Sequence, residues 1–99
     1  MIYTKTTPNI SYDEFFKLIV PVKSFSSLTG KPYQVLKIEG SEMSFVRNTS
    51  GVQWKMDLKE VHQAYLLLTD FKTINFKTFV KRTHSPALGL LLHLGLLVK

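Results

Sequence analysis

The chain has 99 residues, 44% of them apolar and 20% charged, with a formal net charge of +6 and no cysteine. That balance excludes a disordered chain. The missing thiols exclude disulfides, thiolate nucleophiles and cysteine-based zinc sites together. The length suits a single small globular domain over residues 1–99, which can bury a core without staples but with little to spare. A cysteine-free chain fits a reducing compartment, and MIYTKTTPNI lacks the basic start and apolar run of a signal peptide, so a cytoplasmic location is expected.

In chain order, residues 1–10 read as a short strand at Ile2–Tyr3 or a loose arm, interrupted by Pro8. Ser11-Tyr-Asp-Glu14 is a capping box, with Ile10 and Phe15 placed as its hydrophobic staple. Tyr12, Phe15, Phe16, Ile19 and Val20 recur at helical spacing, and Pro21 ends that helix. Asp13 and Glu14 have a sufficient role at its positive end. PVKSFSSLTGKP, residues 21–32, reads as a loop. Thr29-Gly30-Lys31 matches only the end of a phosphate-binding loop, because Phe25 stands where the first glycine belongs.

Three strand-like runs follow: Tyr33–Glu39, Met43–Asn48 and Val52–Met56, joined by turns at Gly40-Ser41 and Asn48-Thr-Ser-Gly51. Met43, Phe45, Val52, Trp54 and Met56 share one face of a three-stranded antiparallel sheet. The other face carries Lys37, Ser44, Asn48, Gln53 and Lys55, with Arg47 nearby. Asp57-Leu-Lys-Glu60 is a second capping box. Its helix runs to about Thr69 and buries Leu58, Val61, Ala64, Tyr65 and Leu68.

FKTINFKTFVKRTH, residues 71–84, fits a helix from Asn75 to Thr83 that puts Phe76, Phe79 and Val80 opposite Lys77, Lys81 and His84, with a tight turn at Thr83–Ser85. The last stretch, SPALGLLLHLGLLV, is apolar nearly all round and too short to span a bilayer, so it is expected to be the core helix. Ser85 as N-cap, Pro86 as first residue and Gly95 as stop bound it at Pro86–Leu94, leaving Leu96–Val98 as an apolar tail. Gly89 inside it implies close packing against another element. The expected fold is α+β: an N-terminal helix, a three-stranded antiparallel sheet, then two to three helices ending in the apolar core helix.

The three histidines match no metal motif, the scarce carboxylates are taken by caps and turns, and no GxSxG or glycine-rich dinucleotide fingerprint occurs. No catalytic residue, metal or cofactor is therefore expected. Charge carries the functional argument. Residues 1–70 hold eight cations and all seven acids, whereas residues 71–99 hold Lys72, Lys77, Lys81, Arg82 and Lys99 and no acid. This distribution suits a nucleic-acid-binding domain. Lys72, Lys77, Lys81 and Arg82 would lie on phosphates, and Lys37, Lys55 and Arg47 on the sheet would lie near the groove. Two helices and a short turn near the C-terminus resemble a helix-turn-helix in outline, although the helix that reads bases in that motif is here nearly all leucine. The alternative is a protein-interaction module or small homo-oligomer that uses leftover apolar surface at the leucine-rich end.

Overall fold

The computed structural model describes residues 3–27, 30–68, 71, 73–80 and 83–98, residues 73 and 74 by backbone alone. Ten elements follow one another: β1 (Thr4–Lys5), α1 (Tyr12–Ile19), β2 (Ser24–Ser26), β3 (Pro32–Glu39), β4 (Glu42–Arg47), β5 (Gln53–Asp57), α2 (Leu58–Leu67), α3 (Thr73–Phe76), α4 (His84–His93) and β6 (Leu97–Val98). The class is α+β, but the arrangement corrects the expected one. A strand, not a helix, opens the described chain. The main sheet has four antiparallel strands in the order β2-β3-β4-β5, and β1 pairs with β6 in a second, two-stranded sheet.

The local signals explain most of the elements. Ser11 Oγ accepts from the Glu14 N–H at 3.2 Å, and Ile10 and Phe15, the staple pair, are both buried. Asp57 Oδ1 accepts from the N–H groups of Lys59 (2.9 Å) and Glu60 (3.4 Å) and so starts α2 directly from the end of β5. At the other end of α2, Lys5 Nζ donates to the carbonyls of Tyr65 (3.1 Å) and Leu66 (3.3 Å), where a cation also meets the negative end of the helix.

The core lies between the inner face of the main sheet and the helices. Register sets Ile38, Met43 and Met56 in one inner row and Val35, Phe45 and Trp54 in the next. Phe15 and Ile19 of α1, Leu58, Val61, Ala64 and Tyr65 of α2, and Ala87, Leu88, Leu90 and Leu91 of α4 are fully buried. All of Pro86–Leu91 is buried, as an all-round apolar helix demands. The expected close approach at Gly89 is present: a Cβ there would lie 1.9 Å from the Ser26 carbonyl oxygen. That contact brings α4 against β2, the strand hidden in the serine-rich loop.

The helix begins two residues before the expected boundary. His84 and Ser85 are already helical and Thr83 is the N-cap residue without a side-chain cap bond, so the first turn of α4 stands where the tight turn at Thr83–Ser85 is expected. Pro86 is still in the first turn, where an N–H has no intrahelical acceptor, so the proline costs nothing. The stop falls where glycine puts it. Gly95 has φ +76°, its N–H bonds Leu92 O at 3.1 Å, and the Leu96 N–H bonds Leu91 O at 3.0 Å, a Schellman closure. The apolar tail then becomes β6. The basic stretch before α4 also differs: α3 is one turn, Thr73–Phe76, and residues 77–79 form a turn with the Phe79 and Val80 N–H groups on the Phe76 carbonyl, so the helix expected from Asn75 does not continue through residues 77–80, and its residues 81 and 82 lie outside the described ones.

Candidate functional site

Among the described residues named from sequence, Lys37 and Lys55 share the outer face of the sheet and Arg47 does not. Lys37 and Lys55 flank Ser44 in one outer row of the sheet, and Glu39, Glu42 and Asp57 form the next. Lys37 Nζ lies 2.6 Å from Glu39 Oε1, and Lys55 Nζ lies 3.7 Å from Glu42 Oε1, all four side chains being well exposed. The hydrogen bond between Lys37 and Glu39 holds the Glu39 carboxyl below its ordinary value and raises the Lys37 ammonium above its own. Arg47 is opposite Tyr33 and shares strand parity with Met43 and Phe45, so it belongs to the inner face, not the polar one. Its Nε is buried with no hydrogen-bond partner among the described residues. Lys77 is exposed in the turn after α3. Lys72, Lys81 and Arg82 lie outside the described residues.

The leucine-rich end is not an open apolar patch. Leu96 and Leu97 are buried, and Val98 is the residue of β6 that meets solvent. Tyr65 Oη donates to Leu96 O at 2.8 Å and accepts from the Thr7 N–H at 3.1 Å, which ties both terminal strands to α2. The histidines are placed by structure. The His62 Nε2 lies 2.8 Å from Ile10 O and its ring packs on Tyr12 and Phe15. His93 is exposed at the end of α4. No group of three metal-ligating side chains occurs among the described residues, and none of the helices among them is long and apolar enough to cross a membrane.

Two of the several concave regions along the described residues adjoin β2 or β3. A cleft of about 580 Å³ between β2 and the end of α4 is lined by Ser24, Ser26, Ser27, Tyr33, Asn48 and His93 among others. Among the described lining residues the side chains offer hydroxyls, one amide and one imidazole, and no carboxylate. The other region is a groove of about 440 Å³ between α1 and β3, floored by Phe16, Val20, Val22, Val35, Leu36 and Ile38. Lys23 and Lys37 are the charged residues on its rim. Val20 is 57% exposed and Leu36 47%.

What makes the groove distinctive is the backbone beside it. β2 pairs with Pro32, Tyr33 and Gln34, and the last bond runs from the Val35 N–H to Lys23 O at 2.8 Å. The chain then leaves through Val22, whose N–H bonds Ile19 O. No strand among the described residues covers the outer side of Leu36–Glu39. Leu36 is the extra residue of a β-bulge, since Val35 pairs with Phe45 and Lys37 with Ser44. The Arg47 N–H bonds Val52 O, so odd-numbered β4 residues face β5 and even ones face β3. Lys37 and Glu39, opposite Ser44 and Glu42, therefore turn their backbone groups toward β4, and Ile38 turns its N–H and C=O outward. The result is half a strand with an open hydrogen-bonding edge over an apolar floor. The opposite sheet edge, β5, shows Gln53, Lys55 and Asp57 to solvent, the usual protection of an edge strand.

Sequence reasoning missed this edge because it placed β2 in a loop. One signal was present: the alternation of β3 breaks at Val35-Leu36, two apolar residues in a row followed by Lys37-Ile38. No family model, curated protein or solved structure matches the chain.

Proposed function

We propose that this chain is a small non-catalytic interaction domain that receives an extended segment of a partner protein along the open half of β3. The observation that supports it is the coincidence of an unpaired strand edge at Ile38 with an exposed apolar groove. An added strand takes main-chain hydrogen bonds from the first and side-chain pockets from the second. This keeps the interaction reading but moves it from the leucine-rich end to the sheet edge.

The test is selection of displayed peptides on the domain, immobilised sparsely so that copies do not meet. Ile38→Pro is the counter-target. Proline removes the outward N–H but breaks no bond to β4, and prolines are tolerated on sheet edges. Peptides retained by the native domain and rejected by the Ile38→Pro variant, with both variants folded by circular dichroism, are the expected result. Equal retention by the two overturns the reading.

A second reading, nucleic-acid binding, is favoured by one observation: residues 71–99 carry five cations and no acid. It would rest on that segment more than on the sheet, where Lys37 and Lys55 each lie beside a glutamate. Fluorescence anisotropy with a mixed-sequence duplex at two salt concentrations tests it. Binding should weaken with a log–log slope of about −0.9 per phosphate neutralised and should fall in Lys77→Ala. No binding at low salt removes this reading.

A further inference from the structure

We propose that the segment received by the open edge of β3 is the same edge of a second copy of the chain, which makes a two-fold dimer centred on Ile38. The proposal rests on the edge reading above and adds the identity of the partner.

Register selects the partner. Two antiparallel copies related by an axis perpendicular to the sheet keep inner side chains with inner ones only when paired residues have the same parity. Three such symmetric registers use the open segment. Centring on Lys37 sets it against Lys37 of the second copy, and centring on Glu39 opposes two carboxylates. Centring on Ile38 sets Lys37 of each copy against Glu39 of the other, on the outer face, and the two Ile38 side chains together on the inner one. Opposite charges directly across a ladder are favourable and like charges are not.

The backbone agrees with this register independently of the side chains. Ile38 is the residue whose N–H and C=O point outward, so the central pair is one that exchanges both hydrogen bonds. Lys37 and Glu39 already lie together on the outer face, 2.6 Å apart. A second copy completes an alternating quartet of charges with no change of face. On the inner side the two grooves then adjoin across the axis, and the exposed Val20 and Leu36 of each copy approach apolar surface instead of water. The ladder ends at once on both sides, because Leu36 is in the bulge and Gly40 is in the turn with φ +58°. So short an interface belongs with transient, concentration-dependent dimers and not with obligate ones.

Sedimentation equilibrium of the full chain from micromolar to millimolar concentration is the first measurement. Lys37→Glu places four carboxylates around the axis and Glu39→Lys four ammonium groups. Each variant alone should weaken dimerisation by at least about tenfold. An equimolar mixture of the two should form a heterodimer, and the double variant Lys37→Glu/Glu39→Lys should recover the native dissociation constant within a few-fold. All four side chains per dimer are exposed, so the monomer fold should be unchanged by circular dichroism. A native chain that stays monomeric at millimolar concentration overturns the dimer, while peptides that discriminate Ile38→Pro would leave the edge reading standing. A dimer that persists unchanged in both single variants and in Ile38→Pro uses another surface and overturns the proposal.

Discussion

Gly89 shows what one absent side chain permits. A Cβ there would lie 1.9 Å from the Ser26 carbonyl oxygen and 2.7 Å from the Ser27 Cα, both of them backbone atoms that cannot rotate away. Gly89→Ala must therefore push α4 off β2. Overpacking of this kind costs about 3 kcal/mol, to be read as a lower urea midpoint at unchanged slope; an unchanged midpoint would mean that α4 and β2 do not meet. Glu39 is a different case, governed by charge. Its carboxyl is held below the ordinary 4.5 chiefly by the hydrogen bond from Lys37, with Lys55 adding to it. A depressed folded value contributes stability that is present above the unfolded value and is lost as pH falls through the folded one. Lys37, raised above 10.5 by the same bond, contributes below that value and loses it as pH rises further. Both groups are exposed, so solvent screens the effect on stability. The Glu39 titration midpoint by carboxyl NMR should nonetheless lie below 4.5 and move back up in Lys37→Ala.

At the scale of elements, the helix boundaries follow short-range chemistry, and those could be read in the chain. Asp57 is an example. Its carboxylate holds the Lys59 and Glu60 N–H groups, and Asp57→Ala should cost about 1 kcal/mol, measured as a fall in thermal midpoint, whereas Asp57→Asn should cost less. Ser11 and Gly95 were equally legible, since each acts within five residues of itself. β2 was not. Ser24-Phe25-Ser26 is three residues among serines, and nothing local makes it a strand. It extends because Phe25 stacks on Tyr33 with ring centroids 5.5 Å apart and because Gly89, more than sixty residues later, leaves room for its backbone. The charge of Arg47 suggests a place near the polar face, but strand parity governs the side on which a residue lies, and Arg47 falls with Met43 and Phe45. The helical reading of residues 75–83 weighed the pattern of phenylalanines and cations. Asn75 instead ends in the single turn of α3, with the chain turning at 77–79. The candidate site suffered most from these misses, since an open edge can be seen only once the strand that fails to cover it is known.

At the scale of the whole molecule, the two ends of the described chain are one structure. Thr4 pairs with Val98 and Lys5 with Leu97. The Thr6 N–H bonds Leu96 O at 3.0 Å, and Thr6 Oγ1 donates to Gly95 O at 2.7 Å. Tyr65 of α2 joins them from beneath through its hydroxyl. Two-residue strands of this kind have no pattern to recognise in a sequence; they exist because the core brings their backbones side by side. Leu96 and Leu97 are 3% and 1% exposed. Removing a buried leucine side chain costs about 2–5 kcal/mol. Truncation after Gly95 removes both, together with the Leu96 N–H that closes α4 on Leu91 O. The sum approaches the whole stability of a small domain, about 5–15 kcal/mol. The truncated chain should therefore lose its cooperative thermal transition and bind a hydrophobic dye. Removing residues 98 and 99 alone spares both leucines and should lower the midpoint without abolishing the transition. If instead the truncation after Gly95 melted as sharply as the full chain, the terminal sheet would be an ornament on a core complete without it, and Tyr65→Phe should then be silent as well.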